Sequence, residues 1–187
     1  MEMFLVAIAV AVIFYIWYMS IIIKRNNVLQ ALSGIDVQLK KRSNLLPSIL
    51  KIAKKFMEKE ISLIEDVTAM RSKSQKNYDP KDQDSVKQHL GHVGQLDRSL
   101  GQFMVSVENY PELKSDQTMI KAQQTFNEVE EHIAAARRFY NASVTELNNA
   151  VEIFPGNILA SLIGIKPMPF YEVDEGSKKP VDVDEYI

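Results

Sequence analysis

The chain has 187 residues, with 22 Lys and Arg against 24 Asp and Glu, a net charge of -2 and no cysteine. That length holds one ordinary domain with an anchor or a tail. The near-neutral charge gives no basic field of the kind nucleic-acid binding needs, and the lack of cysteine excludes disulfides, thiolate nucleophiles and sulfur-ligated zinc.

Residues 4 to 23, FLVAIAVAVIFYIWYMSIII, carry no charge. As a helix rising 1.5 Å per residue they span about 30 Å, the thickness of a bilayer's hydrocarbon core. Trp17 and Tyr18 lie toward one end, where aromatic rings favour the membrane interface, and Lys24 and Arg25 follow at once. A cleaved secretory signal needs a basic leader, a shorter apolar run and small residues before the cut. The leader here is Met-Glu-Met, and Trp17, Tyr18 and Met19 crowd the far end. Residues 1 to 25 therefore read as a single-pass membrane anchor. From residue 24 to 60 there are nine Lys or Arg against three acids, and the N-terminal side has no basic side chain. The positive-inside rule then puts the N-terminus outside and the body in the cytoplasm.

The body, residues 26 to 165, shows helical apolar periodicity throughout. Four segments are expected: 24 to 43 continuing the anchor, 45 to 76, 85 to 109 and 113 to 153. Val86, Leu90, Val93, Leu96, Leu100, Phe103 and Val107 recur at steps of three and four. So do Met119, Ala122, Phe126, Val129, Ile133, Ala136, Tyr140, Val144, Leu147 and Val151, a seam close to a coiled-coil heptad. Ser43 to Pro47 marks either a kink or a restart between the first two segments, residues 77 to 82 a loop, and Pro111 and Pro155 helix ends. Each apolar face needs a partner, so the expected fold is all-α: a membrane helix followed by an antiparallel four-helix bundle. Residues 157 to 164 read as a short apolar helix that caps the bundle, the alternative being a place in the membrane interface. From residue 166 the composition is proline-rich and acidic, the signature of a disordered tail, although Phe170, Tyr171, Val173, Val181, Val183 and Tyr186 would also suit an extended strap along the bundle.

Five stretches, IDVQLKKRSNLLPSI (35 to 49), VENYPELKS (107 to 115), IAAARRFYNASV (133 to 144), IFPGNILA (153 to 160) and FYEVDEGSKKPVDV (170 to 183), occur in this order behind the apolar segment. The set resembles the signature blocks of the LemA family. That resemblance implies a bacterial membrane-anchored protein with a helical-bundle body and no established enzymatic activity.

Candidate chemistry is sparse. Asp36, Gln38, Lys40, Lys41 and Arg42 form the richest polar cluster. It is a docking surface or lipid-headgroup contact on one reading, and an exposed helix face with an Asp36–Lys40 pair on the plainer one. Arg137, Arg138 and Asn141 beside Tyr140 would suit a phosphate or carboxylate; the plainer reading pairs the arginines with acids on a neighbouring helix. The paired Glu-x-x-His motif of di-iron bundles does not form, since Val129 and Val86 stand three residues before His132 and His89. Glu128 and His132 share a face and are expected in solvent, as are His89 and His92. Phosphate-loop and nucleophile-elbow patterns are not found either. The sequence thus points to a non-enzymatic scaffold or interaction module without a cofactor, whose partners are the bilayer and an unidentified protein or a second copy. The alternative is a ligand- or metal-binding bundle.

Overall fold

The computed structural model describes residues 1–172. Every regular element among them is helical: α1 (Glu2–Ala53), a 3₁₀ turn (Glu58–Glu60), α2 (Ile61–Ser74), α3 (Gln83–Val107), α4 (Pro111–Ser115), α5 (Gln117–Glu152) and α6 (Gly156–Ile163). The 52 residues of α1 make a rod about 78 Å long. Its N-terminal part is exposed, apolar and long enough to cross a bilayer. From Ile21 onward the same helix enters the core, so the apolar segment and the bundle share one continuous backbone.

The helix does not restart between Ser43 and Pro47; Pro47 lies inside α1. A proline has no N–H, which leaves the carbonyl four residues earlier without its helical donor. That carbonyl belongs to Ser43, and the Arg71 Nε of α2 donates to it at 2.8 Å. The chain instead reverses across residues 54 to 60, with Met57 fully buried in the bend. The segment expected from 45 to 76 is accordingly split between the end of α1 and a 14-residue α2. Replacing Arg71 by methionine is expected to cost about 1–3 kcal/mol by orphaning that carbonyl. Pro47→Ala, which restores an N–H beneath it, should recover part of the loss in a double-mutant cycle read by chemical denaturation.

Side-chain caps set two other boundaries. Asp82 accepts the Ser85 N–H and starts α3. Asp116 accepts the Thr118 and Met119 N–H groups, so α5 begins at Gln117 rather than 113, and residues 111 to 115 form the separate turn α4 with Leu113 buried.

Packing divides the bundle into two cores. Near the anchor, Val28, Leu32 and Ile35 of α1 meet Val86, Leu90 and Val93 of α3 and Tyr140, Val144 and Leu147 of α5. At the far end, Leu46, Ile49 and Ala53 meet Ile64 and Val67 of α2, Leu96, Leu100 and Phe103 of α3, and Met119 and Phe126 of α5. Only the far core has all four helices. In the near core the place of α2 is taken by Tyr78 from the loop before α3 and by Met168 and Tyr171 from the C-terminal segment.

That segment follows α6. Gly164, at φ 70°, closes the helix, and the Ile165 N–H returns to the Ala160 carbonyl, an ending that only glycine adopts without strain. Residues 165 to 172 then run along the bundle as a strap, not as the disordered tail that composition favours. The expected strap positions Val173, Val181, Val183 and Tyr186 lie outside the described residues.

Candidate functional site

The stripe of α1 that faces the core is Ile35, Leu39, Arg42, Leu46 and Ile49, at helical steps of three and four. Arg42 interrupts it with a guanidinium between the two cores, and it is 2% exposed. The reading of Arg42 as part of a surface cluster is therefore corrected: its register points inward, where two acids receive it. Its Nη1 lies 2.7 Å from Asp97 Oδ1 of α3 and 3.0 Å from Glu130 Oε1 of α5. Burial pulls the Arg42 pKa down, but Asp97 and Glu130 outweigh it and the net shift is upward. Asp97 also takes Arg137 of α5, whose Nη2 donates to its Oδ2 at 2.7 Å. The Arg137 guanidinium in turn lies 4.4 Å over the Tyr171 ring of the strap. Four charges from three helices thus form one layer, with the strap laid against it.

Six residues, nearly two turns, back along α1 toward its N-terminus stands a second group. Asp36 accepts a 2.6 Å hydrogen bond from the Tyr78 hydroxyl, and its other oxygen is 3.3 Å from His89 Nε2. The Tyr78 and His89 rings stack at 4.0 Å. Burial, then the bond to Asp36, pushes the Tyr78 hydroxyl far above its ordinary range. His89 is buried, contrary to its expected place on the surface, because the loop before α3 folds Tyr78 over it. No Asp36–Lys40 pair forms among the described residues, since Asp36 turns to Tyr78 and His89 instead. A cavity of about 240 Å³ opens beside these residues, lined also by Lys40, Arg42, Ser43 and Asn77.

The other expected site residues are dispersed. Lys40, Lys41 and Arg138 are exposed, and Gln38 is half-buried. Glu128 and His132 are both exposed, and no group of three His, Asp or Glu suited to a metal occurs among the described residues. Trp17 is partly buried, Tyr18 is exposed, Lys24 reaches Glu146 of α5 at 3.4 Å, and Arg25 lines a groove with Lys166.

Asn141 holds the strap. Its side chain donates to the Tyr171 carbonyl at 3.1 Å and accepts the Tyr171 N–H at 2.9 Å. Seven residues on, Asn148 does the same for Met168 at 3.0 and 2.8 Å. Asn148 is not among the residues expected at the site, although its spacing of two helical turns from Asn141 puts both on one face. Asn141→Ala removes two hydrogen bonds and is expected to destabilise the fold by about 1–3 kcal/mol; the double variant Asn141→Ala/Asn148→Ala should release the strap, read as lost hydrogen-exchange protection of the Met168 and Tyr171 amides.

Burial raises Tyr140 and Tyr171 above the ordinary tyrosine value of 10.0. Unfolded tyrosines ionise near that value while these stay neutral, so the stability they add is complete below it and lost as pH climbs toward the folded values. Denaturation of the solubilised chain should show little change up to about pH 9 and a fall of about 1.4 kcal/mol in total for each such tyrosine between about pH 9 and about pH 11, most of it above about pH 10. Tyr140→Phe should remove one share of that fall.

Two magnetosome proteins of Paramagnetospirillum magneticum, MamQ 1 and MamQ 2, are each 30% identical to the chain over 92 residues, and MamQ of Magnetospirillum gryphiswaldense is 29% identical over 92 residues. The match covers 49% of this chain and 34% of each relative, so it spans about a third of those proteins. The LemA family model matches residues 31–184, which takes in the polar layer, the Asp36 group and the strap. On that match, extending over most of its length, the chain belongs to the LemA family.

Proposed function

We propose that this protein is a single-pass, membrane-anchored helical bundle that acts as a scaffold or protein-interaction module of the bacterial cell envelope. The observation that carries the proposal is the continuity of α1, which runs unbroken from the apolar segment through the core to Ala53. A bundle built on its own anchor is held at a fixed height and angle to the bilayer, as a docking platform requires. The polar groups that resembled a site are engaged internally: Arg42 and Arg137 with Asp97, Asp36 with Tyr78, Asn141 with the strap. Exposed Lys40, Lys41 and Arg138 remain for a partner.

A photo-crosslinking residue at Lys41 or Arg138 in living cells is expected to give one discrete adduct that disappears when residues 1 to 25 are removed. Turnover of a substrate by the purified chain would overturn the scaffold reading. A reporter fused after Ile187 tests the topology, with the body in the cytoplasm as the expectation and activity of a periplasm-only reporter as the reversal. The cavity beside Asp36 and His89 favours ligand binding as the second reading; stoichiometric metal or a small molecule retained by the purified chain would establish it in place of the first.

A further inference from the structure

The end of the bundle nearest the anchor presents an apolar surface. Ile153, Phe154, Ile158 and Leu162 are 59%, 73%, 50% and 77% exposed. Residues 153 to 165, IFPGNILASLIGI, contain no charge, and the nearest charged residues in sequence are Glu152 and Lys166. The opposite side of α6 is packed. Ala160 joins the core beside Ile21 and Val151, and Gly156 lies against the Ala150 carbonyl so closely that a Cβ would collide with it, with the Trp17 ring just beyond at 3.9 Å.

This contact fixes the height of α6. Trp17 lies seven residues before Lys24, the first charge after the apolar segment, which is roughly 10 Å along a helix. If residues 4 to 23 fill the hydrocarbon core, the start of α6 lies about 10 Å inside the boundary between acyl chains and headgroups. An interfacial helix buries its apolar face about 5–10 Å into that boundary, which matches the depth set by Trp17. Lys24, Arg25 and Lys166 lie just on the body side, where anionic headgroups would meet them.

We propose that residues 153 to 165 form a second membrane contact, with Ile153, Phe154, Ile158 and Leu162 inserted into the lipid interface beside the anchor. The proposal rests on the reading of α1 as a membrane helix. It gives α6 two roles, closing the near core with one face and holding lipid with the other. A lone anchor leaves the body free to spin about the α1 axis; a second contact on one side pins the end of α5 to the bilayer and selects which bundle faces point away from it.

The chain has no cysteine, so an environment-sensitive fluorophore can be placed at one position at a time. Phe14→Cys, Phe154→Cys, Leu162→Cys and Val105→Cys all replace exposed side chains and leave the core intact. In the full chain, reconstituted in phosphatidylethanolamine and phosphatidylglycerol vesicles, labels at 154 and 162 should show blue-shifted emission, quenching by spin-labelled lipid and loss of quenching by iodide. The label at 105 should be quenched by iodide alone. Iodide quenching at 154 and 162 with lipid quenching at 14 overturns the proposal and leaves the anchor standing. Iodide quenching at 14 overturns the anchor and this contact together. Protection of 154 and 162 from both quenchers means that a second copy covers the patch, and also overturns it.

Discussion

Replacing Asp97 by alanine is expected to destabilise the bundle by about 3 kcal/mol, more than replacing Arg42 by methionine. Asp97 is the carboxylate shared by Arg42 and Arg137. Removing it leaves a guanidinium only 2% exposed with Glu130 as its remaining acid and deprives Arg137 of its partner. Removing one member of a buried ion pair costs about 3–5 kcal/mol because the survivor's charge stays out of water. The lower end applies because Asp97 itself is 29% exposed and Glu130 persists. Arg42→Met works the other way: it takes away the deeply buried charge, keeps the Asp97–Arg137 pair and leaves Glu130, already 35% exposed, free to hydrate. Its cost should therefore stay near about 1–2 kcal/mol. Chemical denaturation of the two variants checks the order, and a larger loss for Arg42→Met would show that the layer is held by packing of the arginine stem rather than by its charge.

Tyr140→Ala is expected to cost about 3–5 kcal/mol, as for other large aromatics truncated in a core. The ring is completely buried within the near core, and its hydroxyl donates to the Pro169 carbonyl of the strap at 2.8 Å. Tyr140→Phe keeps the ring and loses only that bond, about 1 kcal/mol. The two variants separate the contribution of the seam from that of the strap. Denaturation midpoints give the totals, and proteolysis near Lys166 should rise for both, since each loosens the strap at Pro169.

The helical periodicity around Val86 to Val107 and Met119 to Val151 predicted the faces of α3 and α5 without any tertiary information, because a helix repeats every 3.6 residues and the apolar stripe must be covered. The uncharged run before Lys24 likewise defines a span long enough for a bilayer by composition alone. The site was less legible. The stripe Ile35, Leu39, Arg42, Leu46, Ile49 carries a signal that Arg42 faces inward, yet an arginine in that register is tolerated only if acids reach it, and Glu130 lies 88 residues away. His89 is covered by a loop tyrosine rather than by anything on its own helix.

The residues by themselves thus determined the helical class, the apolar segment, the seams and the family, each of which depends on local spacing or on a linear pattern. Tertiary structure decided where α1 ends, which charges are inside and what holds the strap. Pro47 stays helical because Arg71 of another helix serves the carbonyl that the proline abandons, and residues 165 to 172 lie along the bundle as a strap because Asn141 and Asn148 match the backbone donors and acceptors of Tyr171 and Met168. In each case a polar group unfavourable in isolation is satisfied by a partner distant in sequence, and only the packed helices bring the two within reach.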